Sequence, residues 1–242
     1  MNEVKNNVNV FNQDIQDNQG YRYTTNAQFS SVVANLRLTR ATLENIPLGL
    51  RTLIDIGCGD GTYTNELKRL RNEMNIEGTD PAEIAIAHAK RNFPDIDFFV
   101  SNILIPVSFI NRYYDMAILR GVLHHLSDQQ EAIINTLSLA DYMLIIEPNG
   151  NNPVLKYIEK HSAYHIEHEE QSFTTNQLLN WCSNAGWKIS TVQYVGFVPM
   201  FFPGFLSRII FFFQPLLEKI PILRFYLGAQ VVIVCKKEDV KY

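Results

Sequence analysis

The stretch Leu53-Ile54-Asp55-Ile56-Gly57-Cys58-Gly59-Asp60-Gly61 decides the fold. A short apolar run leads straight into three glycines, and the pattern from Thr62 onward is helical. Strand, glycine turn and helix in that order are the first unit of an α/β sheet with crossover helices. Glycines without a Cβ let the backbone turn tightly and approach a ligand closely. The helix that follows presents N–H groups with no partner inside the helix. The spacing is GxGxG. A dinucleotide fingerprint would need its third glycine at position 62, where Thr62 stands. Asp55, two residues ahead of Gly57, puts a negative charge where a pyrophosphate would be repelled and an ammonium or sulfonium welcomed.

Outward from this loop the alternation continues. A helix is expected over 29–50, with Val32, Val33, Leu36, Leu38 and Leu43 as its apolar stripe and Pro47 and Gly49 ending it. Strands are expected over 51–56, 75–78, 96–100, 114–119, 142–147, 188–195 and 230–236. Helices fall between them over 62–74, 82–92, 129–139 and 174–185. The fold class is therefore α/β, a doubly wound and mostly parallel seven-stranded sheet. About 20 residues beyond Gly59, Asp80-Pro81 closes the second strand, where a carboxylate can accept hydrogen bonds from both hydroxyls of a ribose. Asp80 equally suits a helix N-cap with Pro81 at the first helical position.

The chain has 242 residues, 46% hydrophobic and 19% charged, a globular composition long enough for a sizeable core. With 21 Lys and Arg against 25 Asp and Glu the net charge is −4, which offers no general attraction to nucleic acid. Cys58, Cys182 and Cys235 lie far apart and form no CxxC pair, so a reducing, cytoplasmic setting is expected and a structural metal site is not. Residues 1–28 carry seven Asn and no apolar leader, and they are expected to form a flexible N-terminal segment. Residues 29–196 and 228–242 form the main domain. Between them, 197–227 holds 20 apolar residues in 31, eight of them Phe, broken by Pro199, Pro203, Pro215 and Pro221. Four prolines exclude one straight membrane-spanning helix. The insert is read either as a lid over the acceptor site or as a surface in peripheral contact with a membrane, with a dimer interface as a third option.

The run Asp55 to Gly61, Asp80-Pro81, Tyr114-Asp115-Met116 and Val122-Leu123-His124-His125-Leu126-Ser127-Asp128 together resemble the class I S-adenosylmethionine-dependent methyltransferases, in particular the branch called type 11 or 12. The resemblance covers about 34–195 and implies a Rossmann-like sheet whose seventh strand is antiparallel. It implies S-adenosyl-L-methionine as cofactor, with Asp55, Gly57, Cys58, Gly59 and Gly61 around the methionine moiety. Asp80 and Pro81 would lie at the ribose and Ser101, Asn102 and Ile103 beside the adenine, while Leu119 and Arg120 offer backbone groups. Many members have Asp where Asn102 stands, and the amide oxygen can still meet an adenine amino group.

Methyl transfer from a sulfonium needs chiefly a well-placed nucleophile, with a general base if the acceptor is a hydroxyl or ammonium. His124 and His125, just past the fourth strand, are the candidate catalytic bases. Glu147, Tyr164, His165 and His168 are expected to touch the acceptor, and no metal is expected despite the helical spacing of His161, His165 and His168. The acceptor is read as a small molecule or a lipid- or sugar-linked one, methylated at oxygen, at the inner face of a membrane if the insert dips into it. The stretch from Glu147 to Pro153 and on to Phe173 resembles bacterial methyltransferases found with glycan and lipid-linked sugar assembly. Two other readings stay open, a nicotinamide-dependent oxidoreductase and a non-catalytic module of the same fold that binds a membrane or partner through 197–227.

Overall fold

Alternation along the strands sorts the side chains onto two faces, and each face is covered by its own helices. The computed structural model describes residue 13 and residues 27–105, 112–161, 171–200 and 202–238. In chain order it shows α1 (Phe29–Asn45), β1 (Thr52–Ile56), α2 (Thr62–Leu70), β2 (Asn75–Asp80), α3 (Glu83–Asn92), β3 (Phe98–Val100) and β4 (Tyr114–Arg120). A short 3-10 turn (Leu123–His125) then leads to α4 (Gln129–Leu137), β5 (Ala140–Pro148), α5 (Pro153–His161) and α6 (Thr175–Asn184). Finally come β6 (Trp187–Val195), α7 (Gly204–Leu217), α8 (Pro221–Leu227) and β7 (Gln230–Lys237). The strands form one sheet in the order β3-β2-β1-β4-β5-β7-β6. β7 runs antiparallel to both neighbours. This is the doubly wound, seven-stranded arrangement that the sequence predicts.

On one face Ile54, Ile56, Ala117, Leu119, Met143, Ile145 and Ile233 pack under α4 and α6. On the other, Leu53, Met116, Ile118, Leu144, Ile146 and Val232 pack under α1 and α2. The strict alternation carries a consequence for Asp55: it shares the face of Leu53 and so lies under α2. Buried residues run nearly unbroken along β1, β4 and β5, as expected for central strands covered on both sides.

Four sequence expectations shift. β2 continues to Asp80, paired in register with Val100, so Asp80 ends a strand. The helix after it starts at Glu83 with Ala82 as its N-cap, so Asp80 is not the cap and Pro81 not its first residue. α1 stops at Asn45, because Pro47 cannot continue the helix, and its buried side is rotated from the predicted stripe. Val33 and Leu38 are buried, but Val32 and Leu36 are exposed while Ser30, Ser31, Thr39 and Thr42 face inward. The insert 197–227 folds as α7, with Pro215 inside it, and α8, with Pro221 in its first turn. The flexible lead expected over 1–28 lies almost wholly outside the described residues.

Trp187 opens β6 and is among the largest fully enclosed side chains, with Nε1 donating to the carbonyl of Ile133 on α4 at 3.1 Å. It ties the edge strand to the helical layer. Trp187→Ala should cost about 3–5 kcal/mol in urea unfolding, as other large-to-small aromatic changes do, and leave the loop at β1 unaltered.

Candidate active site

The parallel strands β1, β2, β4 and β5 all end at one edge, and the strand order reverses between β1 and β4, which is where open α/β sheets bind their ligands. The backbone folds back on itself there. The N–H groups of Gly57 and Cys58 both donate to the Thr79 carbonyl, at 2.7 and 3.0 Å. Gly57 and Gly61 have φ of 75° and 77°, in the left-handed region. A Cβ on Gly57 would stand 2.6 Å from Val122, and one on Gly61 2.8 Å from Ala89 and Phe98. Only glycine fits either position.

Three carboxylates surround this turn and all are buried: Asp55, Asp60 and Asp80. Asp55 accepts from the Thr64 hydroxyl of α2 at 2.6 Å. Asp60 accepts from the Thr62 N–H at 3.0 Å. Asp80 accepts from the N–H of Gly59 at 3.0 Å and of Ala82 at 2.8 Å. Burial pushes Asp55 up to about 7, against the opposing Thr64 hydrogen bond and the Arg120 charge, with Asp80 adding to the rise. Asp80 is pushed up to about 6 by burial, with its two backbone hydrogen bonds opposing and Asp60 adding to it. The Cys58 thiol is held well above its usual range by burial and by the same carboxylates.

Opposite them, the Arg120 guanidinium lies over the Tyr63 ring, 3.8 Å from its centroid, and donates from Nη2 to Asn35 at 2.8 Å. Tyr63 hydrogen-bonds Thr42 of α1. Arg120 Nη1 and Ser101 Oγ are buried with no hydrogen-bond partner among the described residues. Two buried, unmated polar atoms beside an acidic, glycine-lined turn fit a polar, positively charged ligand that carries both a carboxylate and hydrogen-bonding groups. An S-adenosylmethionine has these features.

The structure thus gathers Asp55, Gly57, Gly59, Gly61, Asp80, half-buried Pro81, Ser101, Asn102 and Arg120 at one edge. Cys58 is there too, but its side chain packs with Ile86, Ala89 and Phe98. Ile103 and Leu119 likewise point into the core; the Ile103 carbonyl accepts from Asn135 at 2.9 Å and Leu119 is paired with strands on both sides. Asn102 accepts from the Leu104 N–H at 2.9 Å. The side chains of Arg120, Tyr63, Thr64 and Asn35 were not singled out from the sequence. Thr64 sits nine residues after Asp55, in the first turn of α2, and that spacing was the available signal.

Past β4, Glu147 at the end of β5 has no exposed surface. Its Oε1 accepts from the N–H groups of Val122 at 2.9 Å and Leu123 at 2.7 Å, and its Oε2 lies 2.6 Å from His124 Nδ1. Direct acceptor contact by Glu147 is thereby corrected, since an enclosed carboxylate holding three donors does not reach a substrate. Its partner His124 does lie at the edge, with its ring centroid 3.9 Å from that of His125. Tyr164, His165 and His168 lie outside the described residues. Among the described residues no cluster of three His, Cys, Asp or Glu is arranged to hold a metal.

A family described as a methyltransferase domain matches residues 25–192, well over half of the chain. The chain belongs to this family, and S-adenosylmethionine is the cofactor that goes with it. A putative methyltransferase of Invertebrate iridescent virus 6 is 35% identical over 68 residues, 28% of this chain and 25% of that protein. The malonyl-[acyl-carrier protein] O-methyltransferase of Bacillus cytotoxicus is 26% identical over 146 residues, 54% of this chain and 50% of that protein. The matches thus span half or less of these curated relatives. A crystal structure from Thermotoga maritima, of a S-adenosylmethionine-dependent methyltransferase described as a possible histamine N-methyltransferase, shares the fold. Its TM-score is 0.60 at 17% identity, covering 85% of this chain and 89% of that one. The nicotinamide alternative falls with the family match.

The raised carboxylates make a pH prediction with a fixed sign. Because the folded chain holds these protons longer than an unfolded one, ligand-free stability should fall as pH rises from about 4 through 7. A cationic ligand favours the ionised forms, so affinity for S-adenosylmethionine should rise over pH 5.5 to 7.5, by roughly tenfold or more for one proton released per pH unit crossed. S-adenosylhomocysteine, which lacks the sulfonium charge, should show a clearly flatter profile. Calorimetric titration of both ligands at several pH values checks this, and equal slopes would remove the charge argument. In the same assay Asp80→Ala should weaken S-adenosylmethionine by tenfold or more, about 1.4 kcal/mol.

Proposed function

We propose that this chain transfers a methyl group from S-adenosylmethionine to a hydroxyl oxygen of a small-molecule or lipid- or sugar-linked acceptor, with His124 as general base. The observation that carries this reading is the 2.6 Å contact between His124 Nδ1 and the enclosed Glu147 carboxylate. A carboxylate can only accept, so the proton sits on Nδ1 and proton exchange with an acceptor falls to Nε2. Glu147 also accepts from the backbone of the turn that carries His124, and so fixes both ring and turn. This is the arrangement that orients a catalytic imidazole elsewhere, a base held by a third group.

The cofactor, when bound, supplies a methyl group on a sulfonium with a good leaving group. The residues of this chain do the rest. Asp80 and Ser101 hold the nucleoside side, the acidic turn holds the cationic side, and Arg120 Nη1 supplies a donor for a carboxylate. His124 takes the hydroxyl proton of the acceptor, and His125 packs against it. The acidic net charge supports a neutral or lipid-linked acceptor over nucleic acid. Three buried free cysteines suit a reducing compartment.

Radiolabelled transfer from S-adenosylmethionine into hydroxyl-bearing lipid and small-molecule fractions tests the reading. His124→Ala should lower kcat by about 10²–10⁴-fold with cofactor affinity unchanged. Glu147→Gln should lower kcat by less and displace the base limb of the pH–rate profile. An unchanged rate in His124→Ala/His125→Ala would place the chemistry on other groups.

A further inference from the structure

Helix α7 is inside out. Its two buried residues are polar, Ser207 and Gln214, and Glu218 just past its end is largely covered. Each is held by specific hydrogen bonds. Ser207 Oγ donates to the Pro203 carbonyl at 2.9 Å, and Gln214 Oε1 accepts from the Phe197 N–H at 3.2 Å. Glu218 accepts from the Gly196 N–H at 3.0 Å and receives Arg37 of α1 through both carboxylate oxygens. The outward residues are apolar. Phe205 is 75% exposed, Phe212 76% and Leu216 59%, with Ile209 between them at helical spacing, and Ile222 and Tyr226 continue the surface onto α8. In a helix that folds by burying its apolar side the assignment would be the reverse.

The charges on this element are equally one-sided. The only acid between Gly196 and Ala229 is Glu218, which is neutralised by Arg37. The exposed charges are cations, Arg208, which also lies over the Phe29 ring, and Lys219. They stand beside a continuous Phe and Ile surface in a chain of net charge −4. A two-fold pairing of this face with itself would bring like charges together with no exposed acid of the element to meet them. An apolar layer rimmed by anionic phosphates is the complement of both features.

We infer that the outward face of α7 and α8 seats this protein on the surface of an anionic lipid bilayer, with the Phe and Ile side chains in the acyl boundary and Arg208 and Lys219 at the headgroups. Fourteen residues of α7 reach about 21 Å, short of the roughly 30 Å hydrocarbon core, and Pro215 sits within them. Among the described residues no helix is long and apolar enough to cross a membrane. The helix therefore lies in the plane of the interface. The seat is tied to the active-site edge: Asn149, two residues past Glu147, donates from Nδ2 to the carbonyls of Phe225 at 2.8 Å and Gly228 at 3.0 Å. The inference does not depend on the proposed methyl transfer.

Flotation of the purified full chain with vesicles tests it. Vesicles of phosphatidylcholine mixed with phosphatidylglycerol should carry the protein up, and phosphatidylcholine alone much less. Phe205→Asp/Phe212→Asp should abolish flotation while S-adenosylmethionine binding by calorimetry stays as in wild type. Arg208→Ala/Lys219→Ala should weaken binding to the anionic vesicles by roughly thirtyfold, with little change on neutral ones. No flotation on either composition would overturn the inference. So would a dimer in light scattering that the Phe variant dissociates without any vesicle binding, because the occupant would then be a second copy. Loss of cofactor binding in the Phe variant would also overturn it, by making the face part of the folded core.

Discussion

Three carboxylates buried around one turn are the constraint around which the active-site edge is built. A carboxylate taken out of water without a counter-charge is strongly disfavoured, and it either picks up a proton or gathers donors. Here both happen. Thr64 and the N–H groups of Gly59, Thr62 and Ala82 are spent on Asp55, Asp60 and Asp80. These bonds fix the glycine loop, the start of α2 and the entry to α3 with one set of interactions. Because Asp55 and Asp80 remain raised even so, the ligand-free edge is electrostatically under-compensated. A cation that enters completes it. On the proposed reading, the folded loop itself favours a sulfonium over a neutral thioether.

Glu147 solves the same burial problem differently. It has no exposed surface, yet two backbone N–H groups and one imidazole satisfy it. The backbone donors come from the 3-10 turn, whose first N–H groups have no partner inside so short a helix. The strand end thus caps the turn, and the same carboxylate holds the His124 ring. Shape and chemistry at this point cannot be separated. A substitution at Glu147 loosens the turn and the His124 ring together, so on the proposed reading a pH profile reports on it better than a rate alone.

The sheet was legible because β1, β4 and β5 are apolar on both faces and each is followed by turn residues before a helix, so period and punctuation agree. The end of β2 was less so. The strand is expected to stop at Gly78, but pairing with Phe98, Phe99 and Val100 in β3 keeps Thr79 and Asp80 extended, and tertiary pairing outweighs local preference. The stripe on α1 was misread for a related reason. Val32 and Leu36 count as core in any helical wheel, but the side of α1 that packs inward carries the hydroxyls that reach Glu66 and Tyr63. The glycine loop and Asp80 showed themselves because their spacing is short and rigid. Glu147 was noticed but given the wrong job, since its partner lies 23 residues away and only the parallel pairing of β4 with β5 brings them together.

The same failure of the wheel on α1 and on α7 points to one cause. The two helices pack on each other through the Arg37–Glu218 pair and through the Phe29 ring, which meets Phe211 and Arg208. A helix pair joined by a paired arginine and carboxylate need not spend all its apolar residues on its own interface. Such pairs are poor sources of net stability, since desolvation offsets much of their attraction. What they supply is orientation. Fixed in this way, α7 keeps Phe205 and Phe212 outward while Phe211 meets Phe29. The surface is consequently a directed feature of the fold, and α8 carries it to Gly228, which Asn149 clasps beside the strand end that holds His124.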